Sequence, residues 1–310
     1  MKTRGLLLML LSMSFVSCEP VAQVQSSKKT PSIPPSVVVN KDIVFKSIDT
    51  LDLKLDIYQP NDQADNLPLL VWIHGGAWFR GHKERFIGMN NNLVNRVLNA
   101  GYALASVSYR LSQQATFPAQ MQDCHDAIAY VLDHAEDYRI DNQQMVVMGR
   151  SAGGHLASLV ATANGSNVTE FYTNGAVHHF PIVGVVDFFG PSDFIAMRGN
   201  TGKVDHDLDD SAEARLLGQN PLKRPDLAKL ASPTNFVNSS TPPFLIIHGK
   251  ADGVVPYSQS ILLKSYLDLA KVKNKLIGVE GATHGDKVMD GDQYVDEVME
   301  FLEMHLPVKR

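Results

Sequence analysis

The sequence predicts an α/β fold: a mainly parallel sheet with helices on both faces. Two observations carry that prediction. Short, continuous apolar runs of strand length recur along the chain, and apolar residues at helical spacing lie between them. Leu69–Ile73, Tyr102–Val107, Met145–Met148, Ile182–Phe189, Phe244–Ile247 and Leu276–Val279 are such runs, and unbroken apolarity marks strands covered on both sides. Leu51, Leu53, Leu55 and Ile57 alternate with polar residues instead, which reads as an antiparallel, edge-type strand ended by Tyr58-Gln59-Pro60. Met121, Cys124, Ile128, Val131 and Ala135 follow Pro118 at helical spacing, and Val295, Val298 and Leu302 repeat it near the C-terminus. Strands alternating with helices imply right-handed crossovers, and such sheets place their sites at the C-terminal ends of the strands.

Composition narrows the function classes. With 310 residues and 44% hydrophobic residues the chain can bury a sizeable core. Its 28 Lys and Arg against 33 Asp and Glu give a formal charge of −5, without the basic block that a phosphate backbone demands, so nucleic acid is not an expected partner. The two cysteines, Cys18 and Cys124, form neither a disulfide framework nor a C-x-x-C metal pair. No metal and no cofactor is expected.

The N-terminal segment reads as an export signal. Lys2 and Arg4 precede an apolar run, Leu6–Val16, that is long enough for a signal core and too short for a permanent membrane span. It ends Phe15-Val16-Ser17-Cys18, similar to the bacterial lipoprotein box, with Phe15 in place of the usual Leu. Residues 1–17 are thus expected to be a lipoprotein-type signal with a lipid on Cys18, a plain secretory signal being the alternative. Glu19–Ser36 is rich in Ser, Gln, Lys and Pro, a composition that buries little apolar area, and makes 18–36 a tether. No further linker or internal repeat interrupts 37–310, which reads as one large domain.

The chemistry begins at Gly149-Arg150-Ser151-Ala152-Gly153-Gly154-His155. This G-x-S-x-G segment follows a strand and opens a helix, the setting in which a sharp turn exposes a serine hydroxyl beside a base. Further segments stand in a fixed order around it: Val71-Trp72-Ile73-His74-Gly75-Gly76-Ala77-Trp78, Ser108-Tyr109-Arg110-Leu111, Phe117-Pro118-Ala119-Gln120, Phe188-Phe189-Gly190-Pro191-Ser192-Asp193, His248-Gly249-Lys250-Ala251-Asp252 and Thr283-His284-Gly285. With these motifs the chain resembles the α/β-hydrolase superfamily, specifically the esterase branch related to hormone-sensitive lipase and to feruloyl and acetyl-xylan esterases (BD-FAE-like). The likeness covers nearly the whole domain. Ala77 departs from it, because the lipase-like relatives carry a third Gly there.

The strand that ends in Gly75-Gly76 can turn its amides into the space above the serine. The amides of Gly76, Ala77 and Ala152 are therefore the expected oxyanion hole, in which one lost donor costs about 3 kcal/mol. His74 is expected to brace that loop. In this fold the triad runs Ser, Asp or Glu, then His, each past a later strand. Asp252 follows Phe244–Ile247, and His284 follows Leu276–Val279, so Ser151, Asp252 and His284 are the expected catalytic residues. Asp187, Asp193 and Glu280 compete as the acid, and His178, His179 and His248 are spare histidines. Asp193 reads as a local cap, His178 and His179 as surface residues, and Cys124 as core.

The run Asp205-His206-Asp207-Leu208-Asp209-Asp210 mimics a calcium loop, but Asp210 stands where the loop needs Gly and Leu216 where it needs a bidentate carboxylate. It reads as a solvated face of a cap insertion around 197–230, which is expected to shape the pocket. The leading function is an exported, cofactor-free serine hydrolase that cleaves small-molecule or carbohydrate esters, with acetyl or feruloyl groups on plant polysaccharide as the substrate class the resemblance implies. Arylformamide hydrolysis is the alternative within enzymes, and a non-catalytic binding module the alternative outside them.

Overall fold

The computed structural model describes residues 33–34, 36–61, 66–85, 91–198 and 202–308. The expected signal segment, Cys18, and the tether apart from residues 33, 34 and 36 lie outside them. The strands are β1 (Val37–Ile48), β2 (Leu51–Pro60), β3 (Leu67–Ile73), β4 (Ala103–Val107), β5 (Ile140–Arg150), β6 (Ile182–Phe188), β7 (Phe244–Gly249) and β8 (Asn274–Val279). They form one sheet in the order β1-β2-β4-β3-β5-β6-β7-β8. β2 runs antiparallel to both β1 and β4, and every later neighbour pair is parallel. This is the α/β-hydrolase architecture, as the sequence reading expected.

Alternation along the strands divides the core in two. Val71 and Val147 face one layer with Met121 and Cys124 of α2 (Ala119–Asp133), Leu156 of α3 (Ala152–Thr162) and Leu263 of α6 (Ser258–Leu269). Leu70, Trp72 and Val146 point the other way, onto Leu93 and Val97 of α1 (Asn91–Asn99) and Val295 and Leu302 of α7 (Asp292–His305). Both faces are covered, and for that reason the central strands read as unbroken apolar runs. α2 also buries His125, whose Nδ1 bonds the Phe171 carbonyl at 3.0 Å; burial pushes this ring down to about 4, so it stays neutral.

Three sequence expectations need correction. β1 was not expected as a strand, because bulges between Asn40 and Ile43 and between Val44 and Lys46 break its alternation. β1 takes the sheet edge, and β2, expected to be edge-type, is enclosed between β1 and β4 with Leu55, Ile57 and Tyr58 buried. β5 starts at Ile140 rather than Met145, since Leu67 still pairs with Ile140 although residues 142–144 are exposed and polar. The insertion between β6 and β7 contains two six-residue helices, α4 (Ala212–Leu217) and α5 (Pro225–Leu230). Its acidic run is held in ion pairs: Asp207 with Arg198 at 2.8 Å and Asp209 with Lys223 at 2.7 Å.

The join of β5 and α3 is set by close backbone approach. A Cβ on Gly153 would lie 2.0 Å from the Ile73 carbonyl oxygen, so only glycine lets α3 press against the end of β3. Gly153→Ala is expected to push α3 off the sheet and cost about 1–3 kcal/mol, read as a fall of several degrees in the thermal midpoint. An unchanged midpoint would contradict this packing.

Candidate active site

Ser151 occupies the one-residue turn between β5 and α3, at φ 55° and ψ −124°. Its amide bonds the Phe188 carbonyl at 2.8 Å, and its carbonyl accepts from the His155 amide at 2.9 Å, so the strained turn is pinned on both sides. The side chain is left half-buried at the mouth of a cavity of about 260 Å³.

The structure brings the three expected residues together. His284 Nε2 lies 2.9 Å from Ser151 Oγ, and its Nδ1 lies 2.6 Å from Asp252 Oδ2. Nδ1–H therefore donates to the carboxylate, and Nε2 is free to accept the serine proton. Phe189 packs edge-on against the His284 ring at 4.8 Å and limits its movement. Asp252 is buried, and its Oδ1 accepts from the amides of Val254 and Val255 at 2.8 and 3.0 Å. Burial by itself would raise this carboxyl. Hydrogen bonds from His248 and His284, the charge of His284 and the Val254 amide outweigh it and hold Asp252 well below the usual carboxylate range.

His248 was treated as a spare histidine, and the structure gives it a place. Its Nε2 faces Asp252 Oδ2 at 3.2 Å and the Val255 carbonyl at 3.0 Å, while Nδ1 meets the Ser260 hydroxyl at 2.7 Å. Two acceptors on one side fix the proton on Nε2, and Nδ1 accepts from Ser260. Asp252 thus lies between two histidines. The competing acids are engaged elsewhere: Asp187 accepts from the Gly190 amide, Asp193 from the amides of Ile195 and Ala196, and Glu280 pairs with Lys250.

The loop after β3 supplies the opposite wall. Gly76 adopts φ +129°, and a Cβ there would fall 1.9 Å from the Arg80 carbonyl oxygen. Ala77 follows at φ 52°, in the left-handed region, which gives a physical reason for the third Gly of the lipase-like relatives. Gly76 and Ala77 line the cavity beside Ser151, and Ala152 opens α3 next to it. The amides of these three residues donate to no protein acceptor among the described residues, leaving them available to an oxygen on a bound substrate.

Two histidines outside the relay hold this wall in place. His74 is buried under Tyr109, whose hydroxyl donates to the His74 carbonyl at 2.9 Å, and its own Nδ1 bonds the Gly75 carbonyl at 3.0 Å. His155, in the first turn of α3, accepts from Trp78 Nε1 at 3.1 Å and donates Nε2–H to the Ala231 carbonyl at 2.6 Å. Burial pushes both rings down to about 4, so both are neutral braces. His74 as a brace was legible from its position; the Trp78–His155 bond spans 77 residues and leaves no local signal in the sequence.

The insertion was expected to shape the pocket, and the structure keeps its described residues off the cavity wall. No described residue of 197–230 lines the cavity. The segment reaches the site indirectly, through the loop that carries Asp252. The Lys203 amide donates to the Gly253 carbonyl at 2.7 Å, and buried His206 bonds the Val254 carbonyl at 2.9 Å and Glu213 at 3.1 Å. Burial opposes charge on His206, but Glu213 and the Val254 carbonyl outweigh it, so its proton is held more firmly than usual.

Known proteins share this fold. The BD-FAE family model matches residues 55–267. A truncated carbohydrate esterase from gut microbiota is 33% identical, with 86% of this chain and 95% of that one aligned at a TM-score of 0.76. A bifunctional GH43-CE protein of Bacteroides eggerthii is 30% identical over 86% of this chain and 38% of its own, with a TM-score of 0.75. The probable carboxylic ester hydrolase LipM of Mycobacterium tuberculosis is 30% identical over 213 residues, 66% of this chain and 46% of LipM. The chain spans about half the length of the first mycobacterial relatives it matches. The match of the family model over more than half of the chain establishes that it belongs to the BD-FAE family.

Proposed function

We propose that this protein is a serine hydrolase that cleaves carboxylic esters through an acyl-enzyme on Ser151. The observation that carries the reading is the unbroken hydrogen-bonded relay from Asp252 through His284 to Ser151, opening on a cavity walled by free amides. His284 takes the Ser151 proton as Oγ attacks the ester carbonyl, and the charge that develops on the carbonyl oxygen meets the amides of Gly76, Ala77 and Ala152. His284 then passes the proton to the leaving alcohol, and Asp252 stabilises the imidazolium in between. Water repeats the sequence on the acyl-enzyme and releases the acid. The substrate class we propose is acyl esters of carbohydrate, supported by the likeness to a carbohydrate esterase. Export is part of the same proposal and rests on Leu6–Val16 and Cys18.

Ser151→Ala and His284→Ala are each expected to keep the thermal midpoint and to lower 4-nitrophenyl acetate turnover by about 10⁴-fold or more. Ser151→Ala also abolishes fluorophosphonate labelling; a folded variant that still labels would place the nucleophile elsewhere. Asp252→Asn is expected to retain a small residual activity.

The depressed Asp252 carboxyl predicts a pH signature of its own. A carboxyl that is more acidic folded than unfolded stabilises the fold above its unfolded value near 4, and this contribution is lost as the pH falls below it. The stability difference between the unmodified protein and Asp252→Asn should therefore narrow by about 1 kcal/mol from pH 6 to pH 3 in urea unfolding. A constant difference would mean that the carboxylate is not held by its donors.

For export, expression of the full chain in a lipoprotein-processing bacterium should partition it into detergent, and Cys18→Ser should return it to the aqueous phase. Equal aqueous partitioning of both would rule out the lipid.

A further inference from the structure

The cavity before Ser151 carries a charge pattern that ester cleavage alone does not require. Its lining includes Arg80, Arg85 and Arg150, and no aspartate or glutamate among the described residues. Arg150 ends β5 immediately before the nucleophile and is only 6% exposed. Its guanidinium lies 4.8 Å from the ring centre of Phe188 and 5.8 Å from that of Phe189. Its Nε and Nη2 have no hydrogen-bond partner among the described residues. The anion that acts on it, Asp290, is committed to the amides of Asn92 and Leu93.

A buried cation without a paired anion is costly, and aromatic faces offset only part of that cost. Burial pushes the Arg150 guanidinium down to about 10, with Asp290 opposing, so the group remains charged at neutral pH. An anion bound in the cavity that Arg150 lines would supply that partner. A carboxylate fits best, because its two oxygens match the planar fork of arginine and make charge-assisted hydrogen bonds. Trp72, Phe189 and Val254 give the same cavity apolar walls for the carbon skeleton that would carry such a group.

We propose that the cavity takes esters that also bear a carboxylate, and that Arg150 is the specificity-determining residue that binds this group. The proposal rests on the serine-hydrolase reading of the site, since it concerns which esters Ser151 meets. The carboxylate can sit on the alcohol, as in an ester of an acidic sugar, or on the acyl group, as in a dicarboxylic half-ester. The shared chemistry is an anion next to the scissile ester.

Two matched pairs separate these sources. 4-Acetoxybenzoate against methyl 4-acetoxybenzoate places the charge on the leaving alcohol, and mono-4-nitrophenyl adipate against 4-nitrophenyl hexanoate places it on the acyl group. With each rate normalised to uncatalysed hydrolysis, kcat/KM for the anionic member should exceed that of its neutral partner by about tenfold in at least one pair. The advantage should fall as salt is added. Arg150→Gln should bring the ratio close to one, and Arg150→Lys should restore part of it. Turnover of the neutral esters with no anionic advantage in either pair would overturn the proposal while leaving the hydrolase reading intact. Failure to cleave all four, with Ser151 unlabelled by fluorophosphonate, would overturn both. Should Arg150→Gln not fold, inhibition of the unmodified protein by 4-hydroxybenzoate or adipate, against methyl 4-hydroxybenzoate and dimethyl adipate, reads the same contact; equal potency of acid and ester in both series would count against it.

Discussion

The backbone at Ser151 is held in a conformation that a residue with a side chain disfavours, and the packing of the surrounding elements keeps it there. A turn at φ 55° and ψ −124° carries strain of order 1–3 kcal/mol. β6 offsets it through the Phe188 carbonyl, α3 through the His155 amide, and β3 through the close approach at Gly153. Because β5 lies between β3 and β6 in the middle of the parallel sheet, these supports come from both sides of the turn. The serine is thereby placed at the C-terminal edge of the sheet, where the loops after β3, β7 and β8 can reach it.

Those loops are tied to the elbow by polar side chains that cross long stretches of sequence. Trp78 and His155 bond the loop after β3 to the first turn of α3, and Tyr109 holds the same loop through the His74 carbonyl. On the far side, Asp252 gathers His284, His248 and the amides of Val254 and Val255 around one carboxylate. His206 anchors the insertion to the carbonyl of Val254, next to those amides. A buried carboxylate with this many donors stays ionised, and its geometry in turn orients His284.

Much of this was legible in the sequence, for identifiable reasons. The central strands were visible because both faces are covered, which leaves unbroken apolar runs such as Leu69–Ile73. Ser151, Asp252 and His284 could be chosen by chain order because each follows a recognisable strand. β1 was hidden by its two bulges. α6 was hidden because Ile261 and Leu269 are exposed, which blurs the helical period that Leu263 and Leu267 would otherwise show. The roles of His155, His206 and His248 could not be read from pattern, since each depends on partners supplied by a different part of the chain. Arg150 stood inside the quoted motif, yet its meaning lies in the carboxylate that the fold does not bring to it.

His74 in the loop after β3, His125 in α2 and His155 in α3 are buried without charge, each with a folded value of about 4. In the unfolded chain each takes up its proton near 6.5. The unfolded state therefore binds more protons between these values, so stability is full above about pH 6.5 and declines as the pH falls toward 4. Each ring gives up on the order of 3 kcal/mol across that window. Two of them brace the loop and helix that frame the nucleophile. Together with the Asp252 carboxylate, these rings tie the acid tolerance of the fold to the frame of the reaction centre.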